Sequence, residues 1–172
     1  MLVATTPLGG ITGGPQSILS YNYGACHVGR VRAGPRRIFG LCLGFTALMT
    51  AVAWLGGPLF VRLFTADAQV AAQAQWAIRV CTLSLLPLGL QYEIVDGFTA
   101  IGQVRYSLPL SFWRKLVYFV ALFVCPALFG AEAAFFAEPI SDLLGPAVSI
   151  VVYLLVMNRV LKKRLQTRRT EP

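Results

Sequence analysis

A chain of 172 residues is long enough for one domain of ordinary size. It is 56% hydrophobic and only 13% charged, with a mean hydropathy of +0.67; a soluble domain carries about 25% charged residues, so a soluble enzyme, a disordered tail and a nucleic-acid module are all excluded. The net charge of +8 comes from 15 bases against 7 acids, and the bases sit in short clusters between long apolar runs, which makes a lipid bilayer the partner rather than nucleic acid.

Residues 1–21 are apolar but interrupted by Pro7, Pro15 and several glycines, too short and broken to cross a bilayer as a regular helix. With no basic start they do not read as a signal peptide. They read as the remnant of a preceding membrane helix whose beginning is absent. Residues 22–37 read as a basic loop. A hydrocarbon core of about 30 Å needs about 20 apolar residues per helix, and the region 38–161 supplies four such spans, at about 38–61, 80–104, 108–129 and 140–161. Charges near the ends of the third and fourth spans, among them Arg114, Lys115, Asp142 and Arg159, are expected to snorkel to the interfaces. Residues 162–172 form a basic tail. The chain is therefore read as an all-α integral membrane helical bundle with four transmembrane helices.

Four spans place 22–37, 102–115 and 159–172 on one side. Those segments hold Arg30, Arg32, Arg36, Arg37, Arg105, Arg114, Lys115, Arg159, Lys162, Lys163, Arg164, Arg168 and Arg169, leaving only Arg62 and Arg79 opposite. The positive-inside rule then predicts a multi-pass protein of the cell inner (plasma) membrane with a cytoplasmic C-terminus.

Cys26, Cys42, Cys81 and Cys125 are scattered without a Cys-x-x-Cys, and His27 is the sole histidine; neither a disulfide framework nor a zinc site is expected. No cofactor is expected. Gly40 and Gly44 have the spacing of a close helix contact, and Pro58, Pro87, Pro126 and Pro146 are expected to break or kink the spans.

Glu93 and Asp96 lie deep in the second span. At 1.5 Å per residue, Glu93 is about 21 Å from Arg79 and about 18 Å from Arg105, and the i,i+3 spacing puts both acids on one face. A carboxylate at that depth costs about 2.5–3.5 kcal/mol, so it needs a cavity or a partner. Two carboxylates so close cannot both ionise cheaply, the property a proton- or cation-exchange site requires. Gln91 is a candidate neutral ligand, although it points elsewhere on the helix. The structural alternative is that the acids face water near the cytoplasmic mouth or pair with a base on a neighbouring helix.

Three stretches carry a resemblance. They are Gly14-Pro15-Gln16-Ser17-Ile18-Leu19-Ser20-Tyr21-Asn22-Tyr23-Gly24-Ala25; Phe98-Thr99-Ala100-Ile101-Gly102 leading to Leu110-Ser111-Phe112-Trp113-Arg114; and Ala137-Glu138-Pro139-Ile140-Ser141-Asp142. In sequence and separation they resemble the bacterial multidrug and toxic compound extrusion (MATE) transporters. That family has two six-helix lobes with a cation-linked cavity between them. The resemblance implies that this chain is part of the second lobe, from the end of the eighth helix to the twelfth, with an N-terminal lobe as its missing partner. It further implies export of small-molecule organic cations or drug-like compounds against H⁺ or Na⁺, inactive as this fragment alone. The chain departs from the family pattern at Thr99, where relatives often have Gln, and at Glu93 and Asp96, where they tend to have small or apolar residues. The rival expectation is a non-transporting helical membrane protein, a truncated product or an interaction module.

Overall fold

The structure, a computed structural model, describes residues 2–170, with side chains from residue 4 to residue 166. Met1 of the predicted remnant and Glu171 and Pro172 of the basic tail lie outside the described residues, as do the side chains of 167–170. Helices α1 (Leu2–Gly13) and α2 (Gln16–Gly24) are followed by α3 (Val28–Phe64), α4 (Ala68–Leu83), α5 (Leu85–Ala100) and α6 (Val104–Phe129). A 3₁₀ segment, Ala131–Phe136, then leads into α7 (Ala137–Thr170). Four helical stretches are long and apolar enough to cross a bilayer: Val28–Phe64, Ala68–Ala100, Val104–Phe129 and Ala131–Gln166.

The basic segment 28–37, predicted as loop, is instead the opening of α3. Arginine is a good helix former, and nothing obliges a helix to end where the hydrocarbon does. The second span is helical from Ala68, where Asp67 caps α4 by accepting from the backbone N–H groups of Gln69 (2.8 Å) and Val70 (3.4 Å). It breaks at Ser84. Pro87 accounts for the break, because it has no N–H for the Leu83 carbonyl and its ring crowds that carbonyl.

Two motif stretches turn out to be the same device. After α2, Cys26 has a left-handed backbone (φ 58°), with His27 N–H bonded to the Asn22 carbonyl (2.9 Å) and Cys26 N–H to the Tyr23 carbonyl (3.1 Å). After α5, Gly102 (φ 71°) does likewise, with Gln103 N–H on the Phe98 carbonyl (2.8 Å) and Gly102 N–H on the Thr99 carbonyl (3.0 Å). Both are Schellman caps, which satisfy the last carbonyls of a helix. The Ser20 hydroxyl donates to the Ala100 carbonyl, so the two caps are joined at one end of the bundle. Arg32 to Asn158 Oδ1 (3.1 Å) and Arg164 to the Gly24 carbonyl (3.2 Å) bring α3 and α7 to the same end.

The residues predicted as a remnant thus pack into the fold, α1 and α2 both lying against α3 and α5. Helix α5 is the centre: it packs against all six other helices and buries Leu85, Leu88, Gly89, Gln91, Glu93, Ile94, Gly97 and Phe98. Around its second half, Phe98 meets Tyr106 (5.5 Å) and Tyr153 (6.1 Å), with Leu19, Val31, Leu110 and Leu161 completing a core. The outer helices turn large apolar side chains outward, among them Leu55, Phe123 and Phe129, as lipid-facing surfaces do.

The glycine that permits close approach is Gly89. A Cβ there would stand 3.1 Å from Thr46 Cγ2 and 3.6 Å from Cys42 Cβ and O on α3. A Cβ on Gly40 or Gly44 would meet nothing within 4 Å, so the pair predicted from spacing does not form a contact among the described residues. Gly89→Leu is therefore expected to push α3 from α5 and cost about 1–3 kcal/mol, while Gly40→Leu is expected to change stability by less than about 0.5 kcal/mol. Thermal unfolding in detergent checks this; equal losses for both would contradict the packing.

Candidate functional site

The polar groups of the second span lie on the helix that has neighbours on every side, which is where the bilayer tolerates them. Glu93 is 2% exposed, and neither carboxylate oxygen has a hydrogen-bond partner among the described residues. Cys42 on α3 and Tyr153 on α7 are both close enough to feel its charge, and each sits in apolar surroundings, Leu8 and Ile38 around Cys42 and the Phe98 ring beside Tyr153. A bare buried carboxylate is one of the most expensive groups a fold can hold, so this one requires a compensating proton or cation.

Asp96, one turn on, is half-buried. Thr12 Oγ1, in the last turn of α1, donates to Asp96 Oδ2. The basic partner offered by the structural alternative is absent among the described residues; a hydroxyl from the N-terminal segment serves Asp96 instead. Thr12 was not foreseeable from the sequence, because the segment carrying it looked like a remnant and the contact spans 84 positions.

Gln91 is also buried, on the other side of α5, as its spacing predicted. Its Nε2 donates to the Leu110 carbonyl on α6 (3.4 Å), while Oε1 has no partner. The amide lies against α7 at Gly145, where an added Cβ would stand only 2.6 Å from Gln91 Oε1 and 3.0 Å from Arg114 Cγ. Glycine at 145 is what lets α7 close over these side chains.

Between α5 and α6 lies a cavity of about 220 Å³ lined by Gln91, Tyr92, Val95, Asp96, Ser111, Arg114 and Lys115. Two of the three predicted site residues thus share one cavity, while Glu93 stands behind it. A larger cleft of about 950 Å³ lies at the opposite end, between α3, α4 and the 3₁₀ segment, walled by Phe60, Phe64, Trp76 and Phe135. It contains none of the predicted residues.

Arg114 and Asp142 do not snorkel. Arg114 Nη1 donates to Asp142 Oδ1 at 3.1 Å, and Asp142 is 1% exposed. Ser141 Oγ adds a donor at 3.4 Å, and the Arg114 guanidinium lies 5.9 Å from the Tyr92 ring centroid. Once α6 and α7 pack, each charge has the other as its partner inside the bundle, the usual arrangement of ionisable groups within a membrane.

Comparison with known proteins gives a consistent result. A family model described as MatE matches residues 1–124. The multidrug export protein MepA of Staphylococcus aureus (strain NCTC 8325 / PS 47) is 28% identical over 149 residues, covering 85% of this chain and 32% of that protein. MepA of Staphylococcus haemolyticus (strain JCSC1435) is 25% identical over 123 residues, 72% of this chain and 27% of that protein. The chain therefore spans about a third of the length of the curated relatives it matches. Among solved structures, the Vibrio cholerae MATE transporter VcmN in the bent form superposes with a TM-score of 0.79 at 19% identity, over 95% of this chain and 36% of that one. An inward-facing multidrug resistance MATE family transporter of the MOP superfamily gives 0.79 at 19% identity, over 94% and 38%.

The buried ion pair makes a direct prediction. Arg114→Met strands the Asp142 carboxylate and is expected to cost about 3–5 kcal/mol, whereas Arg114→Met with Asp142→Leu should recover most of that loss. Thermal unfolding of the singles and the double in one detergent measures the coupling; a double variant as damaged as the sum of the singles would show that the pair is not coupled.

Proposed function

Because the chain belongs to the MatE family of multidrug efflux transporters, we propose that it forms part of the second lobe of such a transporter. In this reading the complete protein exports organic cations or drug-like compounds by proton or Na⁺ antiport. The single observation that carries the reading is Glu93: a buried carboxyl without a partner among the described residues, on the central helix of a membrane bundle and one turn from Asp96. The negative charge of such a carboxylate can be balanced by a proton or by a cation, and each excludes the other. Binding one expels the other, which is the elementary requirement of antiport. Asp96 lies at the boundary between Glu93 and the cavity, with Thr12 holding its carboxylate, so it is the relay between the buried acid and the aqueous side. Gln91, which lines the same cavity, supplies a neutral ligand.

The gathering of the basic segments at one end supports a cytoplasmic C-terminus by the positive-inside rule. Alternating access moves one lobe against another around a site at their interface. These 172 residues, expressed without the other lobe, are accordingly expected to export nothing.

The test is export rate against pH in a transporter containing this chain together with an N-terminal lobe, normalised to inserted protein. Asp96→Asn is expected to reduce coupled export to background with insertion unchanged. Glu93→Gln is expected to shift the pH dependence rather than scale the rate, because one of two interacting carboxylates has gone. Unaltered profiles in both variants would remove the acids from the mechanism, and loss of yield without a pH shift would assign them a structural role.

A further inference from the structure

At the basic end of the bundle a second cleft, of about 380 Å³, opens between the cap of α2, the start of α6 and the last turns of α7. Among the described residues its walls are Tyr23, Gln103, Arg105, Val160, Lys163 and Arg164: three bases, an amide and no acid. No Asp or Glu occurs in the sequence between 97 and 131 or between 143 and 170, so the elements that build the cleft bring no carboxylate to it. Arg164 is held in place, with Nη2 on the Gly24 carbonyl at 3.2 Å and its guanidinium 5.8 Å from the Tyr23 ring centroid, yet its Nε is buried without an acceptor. Arg105 is braced over the Tyr106 ring at 4.7 Å. The Schellman turn at Gly102 leads into α6, whose N-cap residue Gln103 makes no side-chain bond to the helix and itself lines the cleft, so the positive end of that helix dipole lies at the cleft wall.

We propose that this cleft binds a phosphate-ester anion, the headgroup of an anionic phospholipid at the membrane surface. A phosphate diester offers the acceptor that Arg164 Nε lacks and an anion for the three bases and the α6 N-terminus. The cleft lies just beyond the apolar part of α5 and α6, at the level where headgroups sit, and its Val160 and Tyr23 walls suit the glycerol and upper acyl atoms. Binding there would clamp α2, α6 and α7 at the joined helix caps.

The test uses the purified chain in nanodiscs of phosphatidylcholine with or without phosphatidylglycerol, with retained lipid counted by native mass spectrometry. The expected result is preferential retention of phosphatidylglycerol, falling roughly fivefold for each base removed in Arg164→Gln and Arg105→Gln, and unchanged in Lys162→Gln, a base on the same helix outside the cleft. Arg105 is exposed, so its variant removes a base without disturbing the core. Displacement of the retained lipid by glycerol 3-phosphate, but not by chloride at equal ionic strength, would support phosphate chemistry at the site. Inorganic phosphate binding without any lipid preference would assign the cleft to a free phosphate and overturn the lipid occupant. Equal loss of retention in Lys162→Gln and Arg164→Gln, or no preference and no phosphate binding at all, would overturn the site itself.

Discussion

Hydrocarbon offers a carboxylate nothing to bond with, and the arrangement of this bundle follows from that constraint. Helix α5 carries an amide and two acids in ten residues' reach of its ends, so it cannot sit at the lipid boundary at acceptable cost. It occupies the middle instead, and every other helix is arranged around it: α3 closes at Gly89, α7 at Gly145 over Gln91 and Arg114, and α1 brings Thr12 to Asp96. The remaining polar atoms are handled locally. Buried Thr46 and Ser149 return their hydroxyls to carbonyls one turn back, at 2.8 and 2.9 Å, a bond that needs no partner helix. Glu93 has no such local remedy among the described residues.

The ends of the bundle depend on backbone geometry rather than on charge. Two Schellman caps, after α2 and after α5, stand side by side and are tied by Ser20. One has glycine at the left-handed position and the other has Cys26, a conformation that costs a non-glycine residue about 1–2 kcal/mol. The motifs that carry the family resemblance are therefore capping motifs in this region: they fix where α5 ends and where α6 begins, and hence the depth of the acids above that turn.

Much of this was legible in the sequence, for identifiable reasons. Length and hydropathy alone gave the four spans, since only a helix of about 20 apolar residues crosses the bilayer. The i,i+3 spacing of Glu93 and Asp96 put them on one face, and the two-residue offset separated Gln91 from Glu93; both follow from helix geometry. What was not legible needed a partner distant in the chain. Thr12, Gly89 and the Arg114–Asp142 pair are ordinary residues until the helices are packed. The Gly40 and Gly44 spacing had the right period, but their face meets no other helix among the described residues, because period does not say which neighbour a helix meets. The helical opening of α3 was missed because a cluster of charges marks the membrane boundary, not the end of a helix.

The central claim is that Glu93 is an interior acid whose charge is balanced by an exchangeable proton or cation. A carbodiimide modifies a carboxyl only in its protonated form, and an apolar carbodiimide reaches sites that a water-soluble one cannot. Treating the protein in membranes with each reagent and locating the adducts by mass spectrometry reports both properties at once. The account predicts that the apolar reagent modifies Glu93, that modification falls as pH is raised or when Na⁺ or an organic cation is added, and that the water-soluble reagent leaves Glu93 untouched. Equal modification by both reagents, or modification indifferent to both pH and cations, would contradict it.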